Sequence, residues 1–400
     1  MKICYFNSFY DSGIVAGVEF YLQSLVKSVS AENEAVVITT TGFNFKNIFK
    51  PQVEKRGALT IYRFFPLNFA WYAKLHKYPL ACRLIWYLGD IWNWQVYLML
   101  KKIIKLEKPD LLHSHNIYGL SCAVFSVGKK MKIPHLHTLH DYQLLEPGGT
   151  MLRNSQLKKS LTWFERLFVK IKLSFAKKIN QVLAPSQFII DLHKKYGYFP
   201  NQPTQVLRLG ADLETIVPLE EYKDTQKRFV YIGRIVREKG LLDLIQAFKN
   251  ISDSNAVLEI AGQGPLEVQA KKLASGDSRI KFLGFVVGEE KIKLIREAYY
   301  LVLPSICYDN SPVTIYEAFS QGVPVIASRL GGIPELIDNG ESGWLFTAGN
   351  ISEIEKIITQ TLEQVAVRDK QAETALHVYQ TRLSKDAHDQ ILKEIYGKYL

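Results

Sequence analysis

The segment that decides the fold is residues 228–249, which read RFVYIGRIVREKGLLDLIQAFK. Residues 228–233 form an apolar run that predicts a buried strand ending in a glycine turn, and residues 241–248 have the apolar spacing of a helix. This order of strand, glycine turn and helix is typical of parallel α/β sheets. Arg234 and Lys239 lie in the turn, so both cations can converge on an anion at the N-terminus of that helix. A diphosphate is the anion that this arrangement favours.

A second group of polar residues follows the predicted strand at residues 300–304. Ser311-Pro312 breaks the chain there, Asp309 precedes the break, and Glu317 lies on the next predicted helix. A carboxylate in that position can accept hydrogen bonds from the vicinal hydroxyls of a ribose or a hexose. Paired cations and paired carboxylates after the strands of one sheet therefore predict a sugar-nucleotide site.

The alternation of apolar runs with helical patterns extends over the chain and predicts a parallel α/β sheet in each half. The predicted strands lie at residues 3–6, 35–39, 110–113, 135–139, 206–209, 229–233, 257–261, 280–283, 300–303 and 323–327. A cluster of Gly, Pro and Asn at residues 197–203 marks the break between the halves. We therefore predict one domain at residues 1–198 and a second at residues 199–400, with a ligand in the cleft between them.

The charge of the chain is concentrated in its first half. The net charge is +11, and residues 1–200 hold 27 Lys and Arg against 12 Asp and Glu, whereas residues 201–400 hold 23 against 27. This asymmetry predicts that the first half faces a polyanion, either nucleic acid or an anionic membrane. No recognisable nucleic-acid-binding module accompanies the charge, so nucleic acid ranks last.

The cysteines and the N-terminus indicate the compartment. Cys4, Cys82, Cys122 and Cys307 lie far apart without a C-x-x-C motif, which favours neither a disulfide framework nor a zinc site. The first residues run directly into a strand pattern without the long apolar region of a signal peptide. Both features predict a protein of the reducing cytoplasm.

Two segments interrupt the α/β alternation. Residues 64–100 are rich in Trp and Tyr beside Lys and Arg, and residues 157–178 have the pattern of a basic amphipathic helix. Seven cations stand against the single Glu165 in the second segment. The pattern fits a helix that docks on anionic lipid, and it fits equally a core-facing helix with a solvated charged face. Neither segment is predicted to span a bilayer.

Many short motifs in this order resemble the retaining, metal-independent glycosyltransferases of family 4. The resemblance covers nearly the whole chain and rests on the segments 13–19, 138–142, 184–186, 209–212, 233–240, 262–265, 282–284, 309–318, 322–325 and 331–335. It implies the GT-B fold, in which two Rossmann-like α/β domains face each other across a cleft. The last helix, at about residues 384–400, is then expected to pack back on the first domain.

The resemblance implies a role for each polar residue of the second half. Arg234 and Lys239, which follow Gly233, would hold the donor diphosphate in place of a metal ion. Glu317 matches the second acid of the family's Glu-x7-Glu pair, which accepts hydrogen bonds from the ribose. Asp309 stands at the first acid and is one methylene shorter than the family's Glu. Donor contacts are expected as well from the residues after it, Asn310 and Ser311, through their backbone N–H groups.

The first half supplies the remaining candidates. His140 matches the family's histidine beside the transferred sugar, and Asp141 is expected to orient it or to contact acceptor hydroxyls. The glycine loop at residues 13–17 follows the first strand, where bare backbone can approach a ligand closely. Gly17 is assigned to the donor and Gly13 to the acceptor side. Ala16 stands where the family usually has a glycine.

The function expected from these residues is transfer of a sugar from a nucleotide-diphosphate donor to an acceptor hydroxyl, with retention and without metal or cofactor. The acceptor is expected to be a lipid-linked precursor or a glycan in cell-surface polysaccharide or glycolipid synthesis, reached at the cytoplasmic face of an anionic membrane. The enzyme alternatives are a sugar-nucleotide epimerase and a phosphorylase. A catalytically impaired sugar-nucleotide-binding subunit that supports a partner transferase is the alternative of another class.

Overall fold

The computed structural model describes residues 1–13, 17–153, 156–158, 160–213, 215 and 226–399. These residues divide into two units, of which the first holds Met1–Met151, Ser160–Leu207 and Gln390–Leu400, and the second Leu152–Lys159 and Arg208–Asp389. The sequence placed the division at residue 198. Residues 199–207 belong to the first unit because the strand Thr204–Val206 pairs with Gln181–Ala184.

The described residues form sixteen strands and thirteen α-helices. The strands are β1 (Lys2–Phe6), β2 (Glu34–Thr40), β3 (Gln52–Arg56), β4 (Leu59–Phe64), β5 (Leu111–Ser114), β6 (His135–Thr138), β7 (Leu152–Arg153), β8 (Gln156–Leu157), β9 (Gln181–Ala184), β10 (Thr204–Val206), β11 (Lys227–Ile232), β12 (Ala256–Ala261), β13 (Ile280–Gly284), β14 (Tyr300–Leu303), β15 (Val325–Ser328) and β16 (Gly343–Phe346). The helices are α1 (Gly17–Glu32), α2 (Leu80–Gly89), α3 (Trp94–Glu107), α4 (Ala123–Met131), α5 (Trp163–Ala176), α6 (Gln187–Lys195), α7 (Leu241–Lys249), α8 (Glu267–Ala274), α9 (Gly288–Arg296), α10 (Val313–Ser320), α11 (Ile351–Glu363), α12 (Val365–Val378) and α13 (Lys385–Gly397).

The first unit is built on an eight-stranded sheet in the order β10-β9-β6-β5-β1-β2-β4-β3. Neighbouring strands are parallel except at the edge, where β3 runs antiparallel to β4. The order of the strands reverses between β1 and β5. In parallel α/β sheets ligands bind at the carboxyl ends of the two strands that flank such a reversal.

The second unit contains a six-stranded sheet in the order β13-β12-β11-β14-β15-β16, and all its pairs are parallel. This is the strand order of a Rossmann fold, and it reverses between β11 and β14. Alternate residues of β11 point to opposite faces, so Phe229 packs with Phe248 in one buried cluster and Val230 with Tyr316 in another. Helices therefore cover both faces of the sheet.

Local sequence explains where several helices begin. Asn93 accepts hydrogen bonds from the backbone N–H groups of the first turn of α3, and Ser186 and Asn350 cap α6 and α11 in the same way. Thr162 and Glu165 form a reciprocal capping box at the start of α5. None of the helices among the described residues is long and apolar enough to cross a membrane.

Candidate active site

The turn after β11 and the chain after β14 meet where the second sheet changes direction. Lys239 Nζ lies 2.7 Å from Asp309 Oδ1 and 2.9 Å from Oδ2, so the ammonium donates to both carboxylate oxygens. The sequence predicted that both residues belong to one site, and the strand order explains why they are close. They leave neighbouring parallel strands at the same edge of the sheet.

Two glycines allow the backbone to bring this pair together. Gly240 follows Lys239 with φ +70°, and a Cβ on it would lie 1.8 Å from the Pro304 carbonyl oxygen. Gly331 has φ +66°, and its added Cβ would lie 2.6 Å from the Asp309 carbonyl oxygen. At both positions the left-handed conformation and the close backbone contact require a residue without a side chain.

The environment of Lys239 keeps it charged. Burial is the largest influence and favours the neutral amine, but the Asp309 carboxylate outweighs it, and the pKa of Lys239 is raised above its ordinary value. A cation this close to the N-terminus of α7 opposes the helix dipole unless an anion compensates it. The sequence predicts a diphosphate as the anion here, whereas in the structure the Asp309 carboxylate compensates the charge.

Arg234 lies in the same turn and points outward. Its side chain is 71% exposed, and Nη2 lies 3.6 Å from Glu238 Oε1. Its backbone is held firmly, because the Tyr231 hydroxyl donates to the Arg234 carbonyl oxygen at 2.8 Å. Gly262, which follows β12, packs closely against Gly233. A Cβ added to Gly262 would lie 1.8 Å from the Gly233 carbonyl oxygen. The backbone of the turn is therefore closely packed, while the guanidinium remains accessible to a ligand.

Glu317 lies on α10 with its two carboxylate oxygens in different environments. Oε1 accepts a hydrogen bond from Lys291 Nζ at 2.6 Å, whereas Oε2 is buried without a hydrogen-bond partner among the described residues. Leaving such an acceptor unsatisfied costs stability, which is a common sign of a functional position. Lys291 on α9 was missed by the sequence reasoning, because no local pattern connects it with a residue on the next helix.

The residues at the start of α10 are also ordered. The Ser311 hydroxyl and the Tyr316 hydroxyl lie 2.6 Å apart, and the Tyr316 hydroxyl accepts from the Leu209 N–H at 3.3 Å. The Ser311 side chain is thus engaged within its own segment. Asn310, between Asp309 and Ser311, is half-buried. The donor contacts predicted for Asn310 and Ser311 involve their backbone N–H groups.

In the first unit His140 follows β6 beside the place where that sheet changes direction. Its Nε2 lies 2.9 Å from Nδ1 of His115, and the two rings stack with centroids 5.2 Å apart. The Tyr21 ring lies 5.3 Å from the His140 ring. Burial lowers the pKa of His140 to about 3, so the imidazole is neutral at physiological pH. It can exchange hydrogen bonds but carries no charge.

His115 belongs to a buried network that reaches the C-terminal helix. Its ring packs 4.3 Å from that of His113, whose Nε2 lies 2.7 Å from Thr138 Oγ1 and whose Nδ1 lies 2.7 Å from the Tyr396 hydroxyl. No sequence motif connected His113 and His115 with His140. The signal was the alternation His-Ser-His at the end of a strand, which puts both rings on one side of the sheet.

Asp141 lies next to His140 in a different environment. Its Oδ1 accepts the backbone N–H of Gln143 at 2.8 Å. Burial raises the pKa of Asp141 to about 7, although the hydrogen bond from Gln143 and the charge of Lys172 act in the opposite direction. Lys172 on α5 is itself buried and donates to the Gln143 carbonyl oxygen at 2.9 Å.

The glycine loop is described only in part. Gly13 has φ +77° and open space where a Cβ would be, and Gly17 is the exposed first residue of α1. Ala16 lies outside the described residues. Glu19 in the first turn of α1 is buried, and burial raises its pKa. No group of three or more His, Cys, Asp or Glu able to hold a metal ion occurs in the described part of the chain.

Family models match both halves of the chain. The model for glycosyltransferase family 4 matches residues 15–215, half of the chain, and the model for glycosyl transferases group 1 matches residues 214–378. The chain belongs to glycosyltransferase family 4. This confirms the resemblance found in the sequence.

Three known proteins place this glycosyltransferase among its relatives. An uncharacterized 42.6 kDa protein in the cps region of Klebsiella pneumoniae is 26% identical over 84% of this chain and 87% of its own. The amylovoran biosynthesis glycosyltransferase AmsK of Erwinia amylovora is 32% identical over 40% of this chain and 42% of its own. The structure of Anabaena HepE in complex with UDP superposes with a TM-score of 0.72 and 20% identity, over 99% of this chain and all of HepE. The last match confirms the predicted fold class, α/β of the GT-B type.

The glycosyltransferase thus has two groups of ordered polar residues, one in each unit. The second unit holds the Lys239–Asp309 pair, the exposed Arg234 and the half-satisfied Glu317. The first unit holds the neutral His140 with His115, and Asp141 beside it. Of the predicted residues, the structure pairs Lys239 with Asp309, and it adds Lys291 as the partner of Glu317 and His115 as the partner of His140.

Proposed function

We propose that the chain transfers a sugar from a nucleotide-diphosphate donor to an acceptor hydroxyl with retention at the anomeric carbon. The observation that carries the proposal is the Lys239–Asp309 pair at the point where the second sheet changes direction, beside the accessible Arg234. Ligands of Rossmann-like sheets bind there, and two cations suit a diphosphate. The UDP bound to the structural relative HepE supports a nucleoside diphosphate as the ligand.

The cations act on the leaving group. As the bond between the anomeric carbon and the diphosphate oxygen breaks, negative charge grows on that oxygen, and Arg234 and Lys239 stabilise it without a metal ion. The acceptor hydroxyl forms the new bond on the same face of the sugar, and its proton passes to the departing diphosphate. No protein base and no cofactor is required in this scheme. Lys239 carries a raised pKa and is therefore protonated throughout the physiological range.

The other candidate residues position the two substrates. The Glu317 carboxylate accepts hydrogen bonds from the ribose hydroxyls. Backbone N–H groups of Asn310 and Ser311 bind the donor at the N-terminus of α10. Gly17 contacts the donor, and neutral His140 forms a hydrogen bond with the transferred sugar. Asp141 and Gly13 contact the acceptor.

The acceptor is a lipid-linked precursor or a glycan, in synthesis of a cell-surface polysaccharide or glycolipid at the cytoplasmic face of the membrane. Similarity to AmsK and to a protein of a cps region supports a role in polysaccharide synthesis. The basic first half supports contact with an anionic membrane. Both family models describe glycosyltransferases and AmsK is one, so a catalytically impaired subunit is not favoured.

A donor screen with product analysis tests the proposal. Nucleotide-diphosphate sugars are first ranked by the rise in melting temperature that each produces, because a ligand that binds the folded protein stabilises it. The best donor is then incubated with lipid-linked and glycan acceptors in the presence of EDTA. Transfer in EDTA to a product with the donor's anomeric configuration, read by NMR, is expected. Donor isomerisation, phosphorolysis or inversion would contradict the proposal.

A further inference from the structure

An exposed aromatic loop follows β2 in the first unit. Phe43, Phe45 and Phe49 are 71%, 78% and 62% exposed, and the stretch FNFKNIFK places Lys46 and Lys50 between and beside them. Single exposed apolar residues are common, but three phenylalanines within seven positions form a patch. The loop is nevertheless ordered, because Asn44 caps a helical turn at Phe45–Asn47.

The side chain of Gln95 joins this loop to the start of α3. Its amide nitrogen donates to the carbonyl oxygens of Ile48 and Phe65, and its Oε1 accepts the Leu67 N–H at 3.1 Å. Trp94 precedes Gln95, and Leu98 lies one turn further along the exposed side of α3. The exposed apolar side chains that these joined elements carry are Phe43, Phe45, Phe49, Leu67, Trp94 and Leu98, which we call the aromatic surface.

The segment that carries the aromatic surface is strongly basic. Residues 41–105 contain eleven Lys and Arg against two acidic residues. Of the two, Glu54 forms ion pairs with Arg56 and Arg63, and Asp90 is buried. Exposed lysines such as Lys46, Lys50 and Lys102 therefore carry a net positive charge around the aromatic side chains.

We propose that the aromatic surface docks on an anionic lipid bilayer. Aromatic side chains favour the level of the head groups, where their rings leave water, and surrounding lysines gain from the negative surface potential. Charge decides between occupants, because a second copy of this chain would bring the same positive charge to the contact. The inference rests on the proposed function for the membrane-borne acceptor, which docking brings close to the first unit.

This surface differs from the docking helix that the sequence suggested. Among the seven cations at residues 157–178, Lys172 donates to the Gln143 carbonyl oxygen and Lys178 to the Ser126 hydroxyl, so both are turned to the protein. Phe168 and Val169 are buried. The helix therefore packs on the first unit, as the core-facing interpretation requires, although Trp163 and Lys170 remain exposed.

Vesicle co-sedimentation tests the proposal with matched variants. The variant F43S/F45S/F49S removes three exposed apolar side chains from the surface, and the control F285S/V268S/V287S removes three exposed ones from the second unit. With vesicles of anionic phospholipid, we expect the partition coefficient to fall about tenfold or more in the first variant and to stay unchanged in the control. K46E/K50E/K102E should release the protein as well, and added salt should weaken wild-type binding.

Several outcomes would overturn the docking proposal. These are absence of binding by the wild type, equal binding to neutral and anionic vesicles, unchanged binding of F43S/F45S/F49S, and loss of binding only in K170E/K177E, which changes α5 and the residue after it. A change from dimer to monomer caused by F43S/F45S/F49S without lipid would assign the surface to self-association instead. Donor stabilisation and transfer to a water-soluble acceptor are measured in parallel. If they persist without lipid binding, only the docking inference fails.

Discussion

Lys239 holds the Asp309 carboxylate in the structure and, in the proposed reaction, holds the diphosphate as well. We expect Lys239→Ala and Arg234→Ala each to lower kcat/KM by about 100-fold, or about 2.7 kcal/mol, because each removes a contact that strengthens as the leaving group departs. Lys249→Ala, at the exposed end of α7, is the matched control. Wild-type turnover in either site variant, at equal thermal stability, would contradict the diphosphate assignment.

Variants of Glu317 and Lys291 distinguish ribose binding from the ion pair between these two residues. Glu317→Gln removes the charge from the carboxylate proposed to bind the ribose, so we expect the Kd of the nucleotide diphosphate to rise about tenfold. Lys291→Met removes the partner of Oε1 but keeps the carboxylate, so its effect on Kd should be much smaller. Calorimetry measures both. Unchanged affinity in Glu317→Gln would show that the ribose binds elsewhere.

His140 and His115 are expected to act as a unit on sugar transfer. His140→Ala should lower kcat about tenfold or more and leave the nucleotide Kd nearly unchanged, because the cations belong to the second unit. His115 positions the His140 ring, so the double variant should be no slower than His140→Ala alone. Additive losses in kcat would mean that His115 has a separate role. Loss of nucleotide binding in His140→Ala would contradict its assignment to the sugar.

At the scale of elements, the sequence predicted what depends on local pattern. The helix predicted at residues 241–248 is α7 (Leu241–Lys249), because apolar periodicity and a glycine turn are properties of neighbouring residues. The hairpin of β3 and β4 was missed. Its edge strand, Gln52–Arg56, is mostly exposed and polar, so it lacks the apolar run by which the buried strands were recognised. The strands β9 and β16 were also missed.

A substitution at Gly240 tests the turn that positions Lys239. In Gly240→Ala the new Cβ meets the Pro304 carbonyl oxygen at 1.8 Å and the residue keeps a left-handed φ. Gly276→Ala is the control, because Gly276 has φ +86° but open space around its Cβ. We expect the control to lose about 1 kcal/mol of unfolding free energy and Gly240→Ala clearly more, with lower kcat/KM. If urea titrations show equal losses of unfolding free energy in Gly240→Ala and Gly276→Ala, the close contact with Pro304 has no role in stability.

For the whole molecule, the candidate site was only partly predictable from the sequence, because local patterns do not show which distant residues become neighbours. The residue types Arg234, Lys239, Asp309 and Glu317 were recognised from motifs, whereas their partners depend on which strands and helices become neighbours. Lys291 comes from another helix. The Tyr396 hydroxyl comes from the far end of the chain to contact His113 and Tyr5. Such long-range contacts leave no periodic signal in the sequence.

The first unit also contains two opposing sets of titratable groups whose pKa values burial shifts. Four histidines have pKa values that burial lowers below the ordinary 6.5, to about 3 for His135 and His140, to about 4 for His193 and further for His137. The unfolded chain binds these protons below pH 6.5 and the folded chain does not. Each histidine therefore destabilises the fold as pH falls below 6.5, by up to about 1.4 kcal/mol per pH unit.

Three carboxyl groups act in the opposite direction. Burial raises the pKa of Asp90 to about 8 and that of Asp141 to about 7, and it also raises that of Glu19. The folded chain keeps these protons at a pH where the unfolded chain has released them. Their contribution to stability is present at low pH and is lost as pH rises toward 7 for Asp141 and 8 for Asp90.

Combined, the two sets give the first unit a stability maximum near neutrality. Below about pH 6 the four histidines outnumber the carboxyl groups, so the unfolding free energy should rise with pH. Between about pH 7 and 8 the folded chain loses the proton of Asp90, so the unfolding free energy should fall. Urea titrations at pH 5, 6.5 and 8, monitored through the first unit, should therefore give the largest unfolding free energy at pH 6.5. His140→Gln should reduce the acid-side slope by up to about 1.4 kcal/mol per pH unit, because its side chain binds no proton in either state. An unchanged slope in that variant would mean that His140 is protonated in the folded protein, and a neutral imidazole could no longer be assigned to the transferred sugar.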